Sequence, residues 1–240
     1  PVEVVTRGAL WRYRDGGAEP PVDWNRVGFD ADAWPEGPAL FGREEGGEAT
    51  VLAPGTGARW FRRTFVVAEA DAVTDLRLDL IADDGAVAYL NGAEVVRDNV
   101  ATGPITATTL AATYRTGAAE RAVRSFTVAR SALVDGVNVL AVRLLQASGS
   151  PDASFDASLT ATGATVDTVP PSLPTALTSP AVTASTADLV WAAATDDVAV
   201  DHYDVFVGGT LAAAVGTSQA ADGGLARAHG GGLSPATTYS

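Results

Sequence analysis

The sequence predicts an all-β protein, in which an antiparallel β-sandwich of the jelly-roll type is followed by part of a second β-sandwich. Two patterns lead to this fold class. Short apolar stretches alternate with a period of two residues, and turn residues separate these stretches at regular intervals. The chain has 240 residues, of which 47% are hydrophobic, so it can form packed cores in two modest domains.

The alternation predicts a series of strands, which include residues 62–67, 76–80, 85–90, 138–145 and 154–160. In the last of these, alternate side chains are expected to face the core, and Asp156 and Ser158 to point away from it. Asn91-Gly92 stands between two apolar runs, and this dipeptide favours a type I′ turn because both of its residues adopt positive φ readily. A β-hairpin is therefore expected at this point.

Charge and composition exclude several classes of function. Sixteen basic residues against 29 acidic ones give a net charge of −13, which disfavours binding to nucleic acid or to anionic membranes. Cys is absent, and the two histidines are His202 and His229, so imidazole or thiolate chemistry in the first two hundred residues is excluded. No apolar stretch is long enough for insertion into a membrane.

One proline-rich segment divides the chain. Pro170, Pro171 and Pro174 stiffen the backbone, and a segment of this kind is typical of a linker between domains. The predicted organisation is a first domain at 1–164, a linker at 165–174 and a second domain at 175–240. The chain begins on Pro1 and contains no Met, so we expect it to be a fragment or a processed product.

The first domain resembles a galactose-binding-like β-sandwich module, as found in large secreted bacterial proteins. The resemblance covers about 1–163. The motifs that carry it are Trp11-Arg12-Tyr13-Arg14-Asp15-Gly16-Gly17, Phe29-Asp30-Ala31-Asp32-Ala33-Trp34, Trp60-Phe61-Arg62-Arg63-Thr64-Phe65, Asp83-Asp84-Gly85-Ala86-Val87-Ala88-Tyr89-Leu90-Asn91-Gly92 and Ser154-Phe155-Asp156-Ala157-Ser158-Leu159. The sugar-binding domain of family 2 glycosidases is similar in layout. Each motif is weak alone, whereas their order and spacing together are fairly specific.

The second domain resembles a fibronectin type III domain, an immunoglobulin-like β-sandwich. Leu189-Val190-Trp191 resembles its second strand with the core Trp, and the segment from Asp201 to Phe206 resembles its third strand. Tyr239 stands where the family has its tyrosine corner. The chain ends one residue later, so the domain is expected to be incomplete at its C-terminal end.

The resemblance implies a non-catalytic accessory module, with a carbohydrate-binding character, joined to a fibronectin type III spacer. Its expected partners are a polysaccharide or other glycan and a catalytic domain of the same polypeptide, which would be a secreted hydrolase such as a metallophosphoesterase or a glycosidase. No catalytic centre is visible in the sequence. The alternative is a purely structural or adhesive pair of modules with no ligand of its own.

Trp24, Asp84 and Arg97 are the predicted ligand-binding residues. Sugars stack on exposed aromatic rings, and Trp24 lies in the polar stretch Val22-Asp23-Trp24-Asn25-Arg26, where a buried ring is less expected. Asp84 and Arg97 flank the predicted hairpin and are the expected polar neighbours. The other aromatic side chains of the opening motifs, Trp11, Trp34 and Trp60, are expected to belong to the core.

A structural Ca²⁺ is the cofactor that the resemblance implies. Calcium takes six to eight oxygen ligands, and the candidate acids are Asp23, Asp30, Asp32, Asp152 and Asp156. No spacing resembles an EF-hand loop. Asp83-Asp84-Gly85 has two interpretations, a structural turn or a contact with a cation or ligand, and the turn is favoured because Asp and Gly are ordinary turn residues.

Overall fold

The computed structural model describes residues 1–44, 46–55, 57–163, 169–207, 210–216 and 225–230. The chain divides into two compact units, one formed by Pro1–Phe29 with Trp34–Val166 and the other by Asp30–Ala33 with Asp167–Ser240. The predicted linker at 165–174 falls partly on residues outside the described ranges, and its bounds stay a prediction. Tyr239 also lies outside the described residues.

Twelve strands form the first unit: β1 (Val2–Val5), β2 (Leu10–Asp15), β3 (Glu36–Pro38), β4 (Phe41–Arg43), β5 (Thr50–Val51), β6 (Arg59–Val67), β7 (Asp75–Asp83), β8 (Gly85–Leu90), β9 (Ala93–Asp98), β10 (Arg124–Thr127), β11 (Gly136–Leu145) and β12 (Ala153–Thr162). The described residues also form three short 3-10 helices, at Ala70–Ala72, Gly117–Ala119 and Arg130–Ala132. The prediction of an all-β, antiparallel β-sandwich is confirmed.

These strands make two six-stranded sheets. The first has the order β10-β7-β12-β4-β5, with β1 also paired to β12, and the second has the order β3-β2-β6-β11-β8-β9. The pairings are antiparallel except for the one between β4 and β5. Asn91 and Gly92 join β8 to β9 with φ values of 51° and 90°, so the predicted hairpin is confirmed.

The hydrophobic core lies between the two sheets. Alternate residues of β7 and β12 face alternate residues of β6, β8 and β11, as the period-two pattern requires. At its centre Phe155 of the first sheet stacks on Phe61 of the second, with ring centroids 4.0 Å apart. Trp11 and Phe41 complete this aromatic group, so Trp11 is a core residue as expected.

The outer faces of the sheets are more enclosed than the alternation indicates. Asp156 and Ser158 do point away from the core, but both are buried. The reason for Asp156 is local, because the turn before β2 closes over it and the backbone N–H of Gly8 donates to its carboxylate at 3.2 Å. On the second sheet, Trp60 is buried beneath Arg143, which also forms an ion pair with Glu19.

The second unit contains β13 (Thr175–Val182), β14 (Ala187–Ala192), β15 (His202–Val207), β16 (Thr210–Gly216) and β17 (Leu225–Gly230). The sheet order is β13-β14-β17, and β15 pairs with β16 in a separate two-stranded sheet. Its small core contains Trp191, Tyr203 and Val215, and the Trp191 and Tyr203 rings meet edge to face at 5.4 Å. Within the described ranges, no helix is long and apolar enough to cross a lipid bilayer.

Candidate functional site

One end of the first unit gathers polar loops from both sheets. β7 ends at Asp83 in the first sheet and β8 begins at Gly85 in the second, so Asp84 connects the two sheets. Residues 146–152 also pass between the sheets here, because Leu145 pairs with Gly85 and Ser154 pairs with Asp83. The loop at 99–116 also reaches this end. We call the polar and aromatic residues that lie here the loop-end cluster: Asp83, Asp84, Tyr114, Gln146, Ser150 and Asp152.

Asp84 holds the loops of this cluster together. Its carboxylate is fully buried, and its two oxygens accept the backbone N–H groups of Arg115 at 2.7 Å and Ala147 at 2.8 Å. Its backbone carbonyl accepts a hydrogen bond from the side chain of Asn99. The prediction that Asp84 contacts a ligand from the surface is therefore wrong, because both carboxylate oxygens satisfy loop backbone groups that would otherwise be unpaired.

A second set of contacts fixes the loop on either side of Tyr114. Asn99 and Thr113 exchange two hydrogen bonds, at 2.7 and 2.8 Å. The guanidinium of Arg115 binds the carboxylate of Asp98 at 2.8 Å, and Arg124 binds the second oxygen of the same carboxylate. The backbone around Tyr114 is thus anchored on both sides.

Tyr114 is the exposed aromatic residue of this end. Its relative exposure is 45%, and its hydroxyl interacts electrostatically with the side chains of Ser150 and Asp152. Asp152 in turn accepts a hydrogen bond from the Ser150 hydroxyl at 2.9 Å. An exposed aromatic ring near a carboxylate can stack on a sugar while the carboxylate accepts hydrogen bonds from the sugar hydroxyls.

Asp83 has the most perturbed electrostatics in the cluster. Burial, followed by the neighbouring charges of Asp84 and Asp152, raises the pKa of its carboxyl group to about 8. Apart from the neighbouring carboxyl group of Asp84, no group in the part of the chain that the structure describes forms a hydrogen bond with the Asp83 carboxyl oxygens. Two other oxygens, Gln146 Oε1 and Ser154 Oγ, are also buried and have no hydrogen-bond partner among the described residues.

Trp24 does not belong to this site. It is only 7% exposed and stacks on Trp34 with centroids 6.4 Å apart, with its edge toward Tyr89 at 5.8 Å. The prediction of an exposed stacking residue is therefore wrong, while the predicted burial of Trp34 is confirmed. The polar neighbours of Trp24 were misleading, because a loop packed across the outer face of the second sheet buries its ring whatever its neighbours are.

We expect Trp24→Ala to lower the free energy of unfolding by about 2–3 kcal/mol, since removing the ring leaves a cavity between Trp34 and Tyr89. Val22→Ala is the matched control, because Val22 lies in the same loop and is 96% exposed. Thermal and urea unfolding of the two variants measure the difference. Equal stability of Trp24→Ala and the wild type would show that the ring has no packing role.

Arg97 has a local structural role. Its guanidinium forms two hydrogen bonds of 2.7 Å with Glu94, and it also binds the carbonyl oxygens of Ala101 and Gly103. These contacts hold the turn that follows β9. Arg97 is thus engaged by its own hairpin and the following turn, rather than joined with Trp24 and Asp84 in one binding surface as the sequence predicted.

The acids predicted to hold calcium take part in separate hydrogen bonds in different parts of the chain. Asp30 accepts the backbone N–H of Asp32 at 2.9 Å, and Asp156 accepts those of Gly8 and Ala157. Asp152 belongs to the loop-end cluster. Throughout the described ranges, no three His, Cys, Asp or Glu side chains converge in a way that could hold a metal ion. The candidates therefore do not form one site.

The sequence analysis missed Tyr114, Gln146 and Ser150. Tyr114 is an isolated aromatic residue in a loop of small and polar residues, and this was the one available signal. Its approach to Ser150 depends on contacts between loops that are far apart in sequence, which periodicity cannot show.

Comparisons with known proteins give partial matches. No protein-family model matches the chain. Chitinase Chi52 of Paenibacillus xylanexedens is 43% identical over 54 residues, which are 22% of this chain and 10% of the chitinase.

The solved structures that are similar include glycoside hydrolases. A glycosyl hydrolase family 2 member from Bacteroides cellulosilyticus aligns with a TM-score of 0.45 and 14% identity, covering 79% of this chain and 24% of that chain. A β-glucuronidase from an uncultured Clostridium sp. aligns with a TM-score of 0.43 and 12% identity, and the alignment covers 99% of this chain and 41% of the glucuronidase chain. The chain thus spans only a small part of the chitinase and less than half of these two solved chains.

Proposed function

We propose that the first unit is a non-catalytic, carbohydrate-binding accessory module of a larger secreted hydrolase, and that the second unit is a fibronectin type III spacer. The observation that carries this proposal is the exposed ring of Tyr114 at the loop end of the sandwich. A glycan would stack on this ring and exchange hydrogen bonds with polar groups at its edge.

The geometry around Tyr114 supports a preformed binding surface. The flanking residues Thr113 and Arg115 are hydrogen-bonded to Asn99 and Asp84, so little conformational entropy remains to be lost when a ligand binds. Asp152 supplies a carboxylate near the ring, and the fully buried Ser150 fixes this carboxylate by donating to it at 2.9 Å. Such a small surface fits weak binding, with Kd values from roughly millimolar to micromolar and a free energy of about −4 to −8 kcal/mol.

The local similarity to a chitinase supports a role linked to carbohydrate and makes chitin the first polysaccharide to test. The spacer role of the second unit rests on its strand order, with β14 between β13 and β17, and on the packing of Trp191 against Tyr203. Extracellular location follows from the same proposal, since a polysaccharide of this kind is met outside the cell.

Affinity electrophoresis of the full chain against soluble polysaccharides, with sedimentation on insoluble chitin, tests the proposal. At least one polysaccharide should retain the wild type, and Tyr114→Ala should weaken that binding at least tenfold without changing the melting temperature. Tyr114→Phe should retain most of the stacking. Phe206→Ala is the matched control, because Phe206 is also an exposed aromatic residue but lies in the second unit.

A purely structural pair of modules is the second candidate. It is favoured by the burial of all four tryptophans of the first unit, which leaves Tyr114 as the ring available for stacking at the loop end. A wild-type chain that binds none of the polysaccharides would support this candidate. Binding that Tyr114→Ala leaves intact would place the glycan elsewhere on the molecule.

A further inference from the structure

Two neighbouring carboxyl groups are buried at the point where the chain leaves β7 for β8. Asp83 is the last residue of β7, Asp84 follows it, and both side chains are fully buried. The two oxygens of Asp84 accept the N–H groups of Arg115 and Ala147, which belong to two different loops. An ionised carboxylate accepts two such bonds best, so Asp84 is the charged member of the pair.

Asp83 has the opposite surroundings. Apart from the carboxyl group of Asp84, no residue in the described ranges forms a hydrogen bond with its oxygens. Two neighbouring buried carboxyl groups rarely carry charge together, because each opposes the ionisation of the other. A proton on Asp83 removes this repulsion and turns Asp83 into a donor for the Asp84 carboxylate.

The charged groups of the adjoining loops favour the same proton. Asp152 on the loop at 146–152 and Glu120, which follows the 3-10 helix at Gly117–Ala119, both oppose the ionisation of Asp83, as Asp84 does. Tyr114 faces the same negative charges, which raise the pKa of its phenol together with its partial burial. Acidic groups from three segments thus keep Asp83 neutral.

The cationic groups nearby are already engaged with other acids. Arg115 and Arg124 both donate to the carbonyl oxygen of Ala82, directly before Asp83, but their guanidinium groups also share the carboxylate of Asp98. A further ion pair on this side of the sheet joins two other charged side chains at 3.9 Å: Arg121 and Glu48. Neither arrangement supplies a cation to Asp83.

We propose that Asp83 and Asp84 form a proton-operated latch, in which one shared proton keeps the loops at 99–116 and 146–152 joined to the end of the sandwich. With the proton present, the Asp84 carboxylate accepts three donors, which are the Asp83 hydroxyl and the N–H groups of Arg115 and Ala147. When the proton leaves, Asp83 becomes a second buried charge, and the repulsion is relieved when these loops open and admit water. The latch does not depend on glycan binding.

The latch should make the stability of the chain depend on pH. Burial, followed by the charges of Asp84 and Asp152, raises the pKa of Asp83 from 3.8 to about 8, so the folded chain keeps a proton that the unfolded chain releases between these values. Stability should therefore fall as the pH rises through this interval. Urea unfolding at several pH values measures the slope, and Asp83→Asn should reduce it. An unchanged slope in Asp83→Asn would contradict the latch.

NMR spectra of the isotope-labelled full chain, recorded from about pH 6 to about pH 10, test the opening itself. The carboxyl ¹³C resonance of Asp83 should titrate with a midpoint near pH 8, and the amide resonances of Arg115 and Ala147 should shift with the same midpoint. The hydrogen-exchange protection factors of these two amides should fall at least tenfold across the transition, because opening exposes them to water.

Asp83→Asn should remove this transition, since its amide group can donate to Asp84 at every pH. Asp156→Asn is the matched control, because Asp156 is another buried acid of the first sheet, and it should retain the transition. The ¹³C titration of Asp83 in the wild type does not depend on the folding of either variant. The proposal is overturned if Asp83 is ionised throughout the titration, if the two amides do not respond, or if Asp83→Asn shows the same transition.

Discussion

Phe155→Ala is expected to lower the free energy of unfolding of the first unit by about 3–5 kcal/mol, the usual cost of deleting a fully buried aromatic side chain. Phe155 is fully buried and joins the two sheets of the sandwich. Its ring stacks on Phe61 at 4.0 Å with an interplanar angle of 20°, and it meets the ring of Trp11 at 5.1 Å, nearly perpendicular. The substitution therefore removes contacts with both sheets at once.

Urea unfolding followed by tryptophan fluorescence measures this loss, since four of the five tryptophans lie in the first unit. Phe206→Ala provides the same substitution at an exposed position, and its effect on this transition should stay below about 0.5 kcal/mol. A loss of less than about 1 kcal/mol for Phe155→Ala would mean that the two sheets do not share one core at this position.

Asp15→Asn should cost about 3–4 kcal/mol, because it removes the charge that balances a buried guanidinium. Arg59 is only 2% exposed. Its Nε donates to Asp15 at 2.8 Å, while its Nη2 donates to the carbonyl oxygens of Ala53 and Gly55 at 3.1 and 3.0 Å. After the substitution, neutral oxygens alone would face the Arg59 charge in these contacts.

Glu94→Gln makes the matching change in a more exposed ion pair, since Glu94 binds Arg97 and its side chain is 37% exposed. Its cost should be about 1 kcal/mol or less, because water screens such pairs. Chemical denaturation of both variants gives the comparison. If the two substitutions cost the same, the ion pair between Asp15 and Arg59 is no more protected from solvent than the pair on the hairpin.

The strands of the first unit could be predicted because their pattern is local. Alternation of apolar and polar residues identifies one face of a strand, and Asn91-Gly92 identifies a turn without reference to the rest of the chain. Which outer faces become buried is decided by loops that come from elsewhere in the sequence. Asp156 points away from the core as expected, but the turn before β2 buries it. The exposure of Trp24 was misjudged because a loop from elsewhere in the sequence covers its ring.

The candidate site was less predictable than the fold. Asp84 was correctly placed at a turn, but its carboxylate binds the N–H of Ala147, which is 63 residues away in sequence. Tyr114 carries no motif, and its importance arises from the loops that anchor it. The oxygens of Asp83 and Ser154 become neighbours only through the register of β7 and β12.

A titration of the isotope-labelled full chain with the polysaccharide fragments that bind it, followed by amide chemical shifts in NMR spectra, tests the central claim most directly. The account predicts that the largest shifts occur at 113–115 and 146–152, around the ring of Tyr114, and that Tyr114→Ala removes them. Shifts centred on another surface, or none with any fragment at millimolar concentration, would contradict a glycan-binding role for the loop end of this sandwich.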